Sequence, residues 1–178
     1  MRIISGTYKG KKLKEFKGQE IRPTADRAKE SLFNILSGCV LGCDFLDLCC
    51  GTGSIGVESY SRGASSVTFV DISPKSLSLA KENAQSVNLV ADFVLSDAIS
   101  FIKRTSKKFD IIFFDPPYDY TNVLDVLQCV KTNKTLKDGG VFVYERKADK
   151  PSLQALGFDL IDTRRYGIAV FDFYKESL

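Results

Sequence analysis

One segment limits the possible folds more than any other. Phe45-Leu46-Asp47-Leu48 is a short apolar run that continues through Cys49-Cys50 into Gly51-Thr52-Gly53-Ser54-Ile55-Gly56. The hexapeptide follows G-x-G-x-x-G, a helical stretch runs on to Gly63, and Asp71 stands 20 residues beyond Gly51. Strand, glycine turn, helix and distal acid together are the fingerprint of a βαβ unit whose backbone closely approaches a nucleotide. Such a unit belongs to a parallel sheet flanked by helices.

The remaining chain keeps that rhythm. Val67–Val70 reads as the next strand, and Ser73-Pro74 then places an N-cap and an N1 proline before a helix reaching about Val87. Val90–Leu95 predicts a third strand and Ala98–Arg104 another helix. Ile111-Ile112-Phe113-Phe114 has no polar interruption, as befits a central strand covered on both faces. A helix near Val123–Val130, a strand Val141–Tyr144 and late strands near Leu160–Arg164 and Ile168–Tyr174 complete the set. Upstream, Thr24 is the expected cap of a leading helix that Gly38 terminates. Gly6, Gly10 and Gly18 suggest a short hairpin or loop before it.

The expected architecture is an α/β, Rossmann-like sheet of about seven strands, mostly parallel, with a C-terminal antiparallel hairpin strand and helices on both faces. Length fits one domain over residues 1–178, divided into a basic arm (1–23), the leading helix (24–38) and the core (43–178). With 44% hydrophobic and 26% charged residues, disordered and fibrous classes are excluded. No apolar run reaches the roughly 20 residues of a membrane span, and Met1-Arg2-Ile3-Ile4-Ser5 lacks a signal-peptide core, so a cytoplasmic protein without membrane contact is expected.

Histidine is absent, which removes Ser-His-Asp and Cys-His catalysis and histidine metal sites. Cys39, Cys43, Cys49, Cys50 and Cys129 form no paired CxxC knuckle; small buried apolar side chains are expected and no metal site. The net charge of +3 is uneven: residues 1–29 carry nine Lys/Arg against three acids, leaving the remainder acidic. A basic arm on an acidic body suits a polyanion, with Lys9, Lys11, Lys12, Arg22 and Arg27 as candidate phosphate contacts. Salt bridges from the arginines to Asp26 or Glu30 are the competing reading.

Asp47 separates the cofactor classes. A carboxylate beside the glycine loop repels a pyrophosphate but suits S-adenosylmethionine, which carries an ammonium and a sulfonium. The expected cofactor wall is Asp47, Gly51, Gly53, Asp71, Ile72, Asp97 and Ala98. Asp71 would accept the ribose hydroxyls. Asp97 would take the adenine amino group, cap the next helix, or both. The second constellation, Asp115-Pro116-Pro117-Tyr118, follows the buried strand at the sheet edge where such folds bind ligands. Its chemistry suits methyl transfer to an exocyclic amine, a poor nucleophile whose lone pair is delocalised into the ring. Asp115 and the Pro116 carbonyl can each accept one N–H, Pro117 stiffens the loop, and Tyr118 can stack on the base.

These residues, together with Met1-Arg2-Ile3-Ile4-Ser5-Gly6, Gly10-Lys11-Lys12-Leu13, Arg22-Pro23-Thr24-Ala25-Asp26-Arg27, Leu32-Phe33-Asn34-Ile35-Leu36, Ser61-Arg62-Gly63-Ala64 and Tyr166-Gly167, resemble the bacterial small-subunit ribosomal RNA guanine-N2 methyltransferases of the RsmD type over nearly the whole chain. The R-P-T-x-D-R element is the specific part. The resemblance implies an S-adenosylmethionine-dependent methyltransferase fold. It also implies methylation of a guanine amino group in the small ribosomal subunit or its assembly intermediate; a monomer is expected. Cys49-Cys50 stand where the family usually has Phe-Ala, which predicts an oxidation-sensitive loop. An adenine-N6 DNA methyltransferase is the nearest alternative. A glutamine-N5 protein methyltransferase, an NAD-dependent oxidoreductase and an RNA-binding assembly factor are more distant ones. A methyltransferase core of about 130 residues leaves no room for a DNA-reading domain, which favours a structured RNA.

Overall fold

The computed structural model describes residues 1–16 and 23–177. Its sheet is built from β1 (Asp44–Leu48), β2 (Ser66–Asp71), β3 (Asp92–Leu95), β4 (Phe109–Phe114), β5 (Leu136–Lys147), β6 (Phe158–Tyr166) and β7 (Ala169–Glu176). The helices are α1 (Pro23–Ile35), α2 (Ser37–Val40), α3 (Ser54–Ser61), α4 (Pro74–Gln85), α5 (Ala98–Arg104) and α6 (Val123–Thr132). The strand order is β3-β2-β1-β4-β5-β7-β6. The first five strands run parallel, and β7 lies antiparallel between β5 and β6. Among the described residues no helix is long and apolar enough to cross a membrane.

Alternation along the strands divides the core into two layers, because successive strand side chains point to opposite faces. Phe45, Phe69, Phe113 and Val143 join Leu32, Phe33, Val57 and Ala80 of α1, α3 and α4 on one face. Leu46, Val70, Phe114 and Phe142 pack with Phe101, Ile102, Val126 and Leu127 of α5 and α6 on the other. Both faces are covered, which is why Ile111-Ile112-Phe113-Phe114 of β4 has no polar interruption.

The chain leaves β1 toward β2 and β3, then returns to the other side of β1 to place β4 and β5. The order therefore reverses between β1 and β4, and a crevice opens at their carboxyl ends. This topology, rather than any single residue, brings the glycine loop and the Asp115 loop together.

Three local expectations change. The leading helix begins at Pro23, one residue ahead of Thr24, since a proline's preset φ suits the first helical position. Gly38 does not terminate it. Gly38 lies within the short α2, and the reversal falls at Gly42, whose φ of 76° carries the chain into β1. β5 is also longer than Val141–Tyr144. It starts at Leu136, where the Lys137 ammonium lies 2.6 Å from Asp44 and 2.8 Å from Asp110 and ties the amino ends of three strands.

The arm is folded onto the core. Ile3 N–H donates to the Lys11 carbonyl and Gly10 N–H to Ile3, which forms a short hairpin with an Arg2–Lys12 bridge. At Gly6 (φ 85°) a side chain is impossible, because a Cβ would sit 1.8 Å from the Ser61 carbonyl oxygen. Gly18 lies outside the described residues.

Candidate active site

Two loops meet at the crevice. The backbone N–H of Asp115 donates to the Leu48 carbonyl at 3.3 Å, so the loop after β4 is moored to the end of β1. Tyr120 N–H closes a turn on the Pro117 carbonyl, and the Lys150 ammonium donates to the Tyr118 carbonyl. Facing them, Gly53 adopts a left-handed φ of 73° and caps α3. A Cβ at Gly53 would come within 2.8 Å of Ala80 and 3.2 Å of the Phe69 ring. Gly53 thus serves helix packing and does not line the crevice, contrary to the ligand role expected from its place in the motif.

The crevice, about 770 Å³, is lined by Asp47, Gly51, Asp71, Ile72, Asp97 and Ala98 on the β1–β3 side, and by Asp115, Pro116, Pro117 and Tyr118 on the β4 side. Each acid is held differently. Asp47 is 2% exposed, and its Oδ2 accepts the Gly56 N–H at 2.9 Å. Burial pushes its carboxyl well above the usual range, and the charges of Asp115 and Asp71 add to the shift. Asp71 accepts the Gly51 N–H through Oδ2 and the Ser73 N–H through Oδ1, both at 2.9 Å, and so clamps the glycine loop to the head of α4. Asp97 caps α5 by accepting the Ser100 N–H at 2.9 Å; that bond holds its pKa below the ordinary value. Both roles considered for Asp97 are therefore compatible, because the capping carboxylate also forms part of the wall.

Burial raises the Asp115 carboxyl to about 7, and Tyr118 is pushed up to about 12 by burial with help from the Glu145 and Asp115 charges. An acid titrating near neutrality at a strand end is suited to accepting a proton from a reacting group. Burial pushes Cys49 up to about 12 and Cys50 further in the same direction, which lowers the thiolate fraction on which the expected oxidation depends. All five cysteines are free. Cys43 and Cys50 are buried, whereas Cys39 is exposed and Cys49 and Cys129 are half-buried.

The wall contains five carboxylates (Asp47, Asp71, Asp97, Asp115 and Glu145) and, among the described residues, no lysine or arginine. A pyrophosphate would find no cationic side chain on this wall among the described residues, whereas a bound cation would favour ionisation of the carboxyls that burial holds above their usual range. Glu145 and Phe16 belong to the wall, although sequence reasoning passed over both. A signal for Glu145 was present: it follows Val141–Tyr144 as Asp71 ends β2 and Asp115 follows β4, an acid at the carboxyl end of a parallel strand.

The basic residues lie elsewhere. Lys9, Lys11, Lys12 and Arg27 are exposed, and Arg22 lies outside the described residues. Asp26 pairs with Arg2 at 3.1 Å rather than with Arg27. The arm that presents these lysines is anchored by Glu58 of α3, a residue sequence reasoning also missed. Its carboxylate is fully buried and accepts the N–H groups of Ile4 (2.8 Å) and Ser5 (3.0 Å) and Nε of Arg62 (2.7 Å). Lys29 of α1 lies 3.6 Å from the same carboxylate and donates to the Arg2 carbonyl at 2.7 Å.

Known proteins share this arrangement. A ribosomal RNA small subunit methyltransferase D from Haemophilus influenzae is 30% identical over 180 residues, covering 98% of this chain and 93% of its own. The structure of yhhF from Escherichia coli superposes with a TM-score of 0.89 at 26% identity, covering 99% of this chain and 97% of that one. The fold recurs in SMU.776, whose crystal structure is a complex with SAH, at a TM-score of 0.70 and 17% identity over 87% of this chain and 50% of that one. Residues 1–175 match the family described as Conserved hypothetical protein 95. With nearly its whole length accounted for in this way, the chain belongs to that family, which includes the ribosomal RNA small subunit methyltransferase D proteins.

Proposed function

We propose that this protein is an S-adenosylmethionine-dependent methyltransferase that methylates the exocyclic N2 amine of a guanine in small-subunit ribosomal RNA. The observation that carries the reading is the juxtaposition of a cofactor wall bearing Asp47, Asp71 and Asp97 with the Asp115-Pro116-Pro117-Tyr118 loop across one crevice. The donor set fits the cofactor: Asp47 can meet an ammonium, Asp71 a pair of ribose hydroxyls, and Asp97 an adenine amine. S-adenosylmethionine, when bound, supplies an electrophilic methyl on a sulfonium.

The residues on the β4 side act on the base. The Asp115 carboxylate and the Pro116 carbonyl accept the two N–H groups of the amine, which turns its lone pair out of conjugation and toward the methyl. Tyr118, 38% exposed, offers a face for stacking, a contact worth about 1–3 kcal/mol. As the N–CH3 bond forms and the S–CH3 bond breaks, the nitrogen sheds a proton to the Asp115 carboxylate. In-line placement is the main rate term. The basic arm supplies phosphate contacts outside the acidic crevice, and relatives bearing a ribosomal RNA small subunit name support RNA as the polyanion. A monomer acting in the cytoplasm is the state proposed.

The test is labelled methyl transfer into small ribosomal subunits from a strain lacking this protein, beside free ribosomal RNA and DNA, with nucleosides identified by mass spectrometry. N2-methylguanine in subunits is expected; N6-methyladenine in DNA would overturn the substrate assignment.

A pH dependence follows from Asp115. Its neutral form cannot accept the amine proton, so the single-turnover rate is expected to rise with pH and level off above an apparent pKa of about 7. A rate flat between about pH 6 and 8 would contradict a role for the ionised group. In the free protein the sign of the stability effect is opposite. The folded state holds this proton more tightly than the unfolded chain, so the contribution of Asp115 to stability falls as pH rises from 3.8 toward about 7.

A further inference from the structure

Asp115 is not the only carboxylate a base would meet. β4 and β5 are parallel neighbours in which Phe113 pairs with Val143 and Phe114 with Tyr144, so the next residues, Asp115 and Glu145, stand side by side. Alternation puts them on one face: Phe113 and Val143 belong to the same core layer, and Asp115 and Glu145 lie two residues further along each strand. Asp47 shares that face one row lower on β1, in register with Phe113. Glu145 therefore borders the crevice on the side of Asp115 away from the cofactor wall, where the base must lie.

We propose that Glu145 is the specificity-determining residue for guanine, its carboxylate accepting the ring N1–H while Asp115 and Pro116 engage the adjacent N2 amine. This rests on the guanine-N2 reading above and deepens it. Guanine offers three N–H groups on one edge, from N1 and the 2-amino group. Two adjacent acceptor carboxylates match that edge. Adenine offers an amine beside an unprotonated ring nitrogen, which an ionised Glu145 repels. A site built around a hydrogen bond discriminates strongly, because the wrong base leaves a buried polar group without its partner.

Burial and the charge of Asp115 hold the Glu145 carboxyl well above its ordinary range. The ionisable groups that face it are Asp115 and Tyr118 from the loop after β4, with Asp47 a row below. Its register partner on β7 is Phe171, on which Tyr166 of β6 packs. No lysine or arginine lines this wall among the described residues. An N1–H donor favours the ionised carboxyl, whereas an unprotonated ring nitrogen favours the acid, which can donate to it. Discrimination between the two bases is thus expected to depend on pH.

The experiment uses small subunits reconstituted with ribosomal RNA that carries, at the methylated position, either guanine or 2-aminopurine. The analogue keeps the 2-amino group but has no N1–H. Single-turnover rates are compared for the wild type and Glu145→Gln at about pH 6 and about pH 8.5, on either side of neutrality. For the wild type the guanine rate is expected to exceed the analogue rate by about 10–100-fold at the higher pH. That ratio should shrink at the lower pH, where the acid form of Glu145 is favoured. Glu145→Gln, whose amide both accepts and donates, is expected to bring the ratio within about threefold and make it independent of pH. A wild-type ratio near one at both pH values, a result that needs no variant, would overturn the assignment to Glu145. So would a Glu145→Gln ratio that keeps the wild-type pH dependence. Absence of any label in guanine subunits would instead overturn the guanine reading on which the assignment rests.

Discussion

Replacing Asp115 by alanine is expected to lower single-turnover methyl transfer about 10²–10³-fold, the usual cost of removing a preorganised group aimed at charge that develops in the transition state. The side chain is placed by the buried β4 and by the 3.3 Å bond from its own N–H to Leu48, neither of which alanine disturbs. Binding of S-adenosylhomocysteine, measured by calorimetry, should therefore change by less than about threefold, since Asp71 and Asp97 remain clamped by backbone amides. Asp115→Asn tests the same point more narrowly: it preserves size but turns one acceptor into a donor that faces the amine. Transfer within threefold of wild type for both variants would show that the loop only terminates a strand. Loss of cofactor binding together with transfer would assign Asp115 to the cofactor instead.

Glu58→Ala is expected to give the largest loss of stability, about 3–5 kcal/mol by urea denaturation, because it leaves a buried cation without its anionic partner. Lys29 is only 5% exposed and Glu58 fully buried, so water cannot readily replace the missing carboxylate. Two arm amides, those of Ile4 and Ser5, lose their acceptor at the same time. Amide exchange at these two positions should rise with the substitution by more than at Val57 or Phe69 in the core, which separates release of the arm from global unfolding. A loss below about 1 kcal/mol, a level typical of solvated ion pairs, would show that Ile3, Leu13, the hairpin bonds and the bonds to Ser61 and Asn83 hold the arm without Glu58. Because the arm displays Lys9, Lys11 and Lys12, the same substitution should weaken RNA binding more than cofactor binding.

The buried anchor explains why the arm was hard to read. Residues 1–16 have no clean alternation and few apolar residues, and their order comes from partners more than 50 positions away, such as Glu58 and Ser61. A glutamate inside Ser54–Ser61 looks like an ordinary helix-surface residue in one dimension. Gly38 misled for a related reason: a glycine after a periodic stretch resembles a terminator, but the bend that matters is the one at Gly42 that aims β1 under α3. By contrast, Ala98–Arg104 and Ser73-Pro74 were legible to the residue, since their caps are local hydrogen bonds between near neighbours.

The acids of the crevice divide in the same way. Asp47, Asp71 and Asp115 could be recognised from their places beside a glycine loop or after an apolar run. Glu145 carries the same strand-end signal, but what makes it a partner of Asp115 is the register of β4 on β5, and strand pairing is absent from a linear pattern. Gly53 shows the converse, a motif position whose lack of a side chain is required by the Ala80 and Phe69 contact.

The sequence by itself therefore determined the α/β fold, its alternation of strands and helices and the chemistry of the two loops, because periodicity, caps and strand-end acids are encoded by near neighbours. Only the tertiary structure decided that these loops share a crevice lined by five acids and, among the described residues, no lysine or arginine, that Glu145 stands beside Asp115, and that a buried Glu58 holds the basic arm. Each of those depends on strand order, register or burial, which arise when distant segments exclude water together.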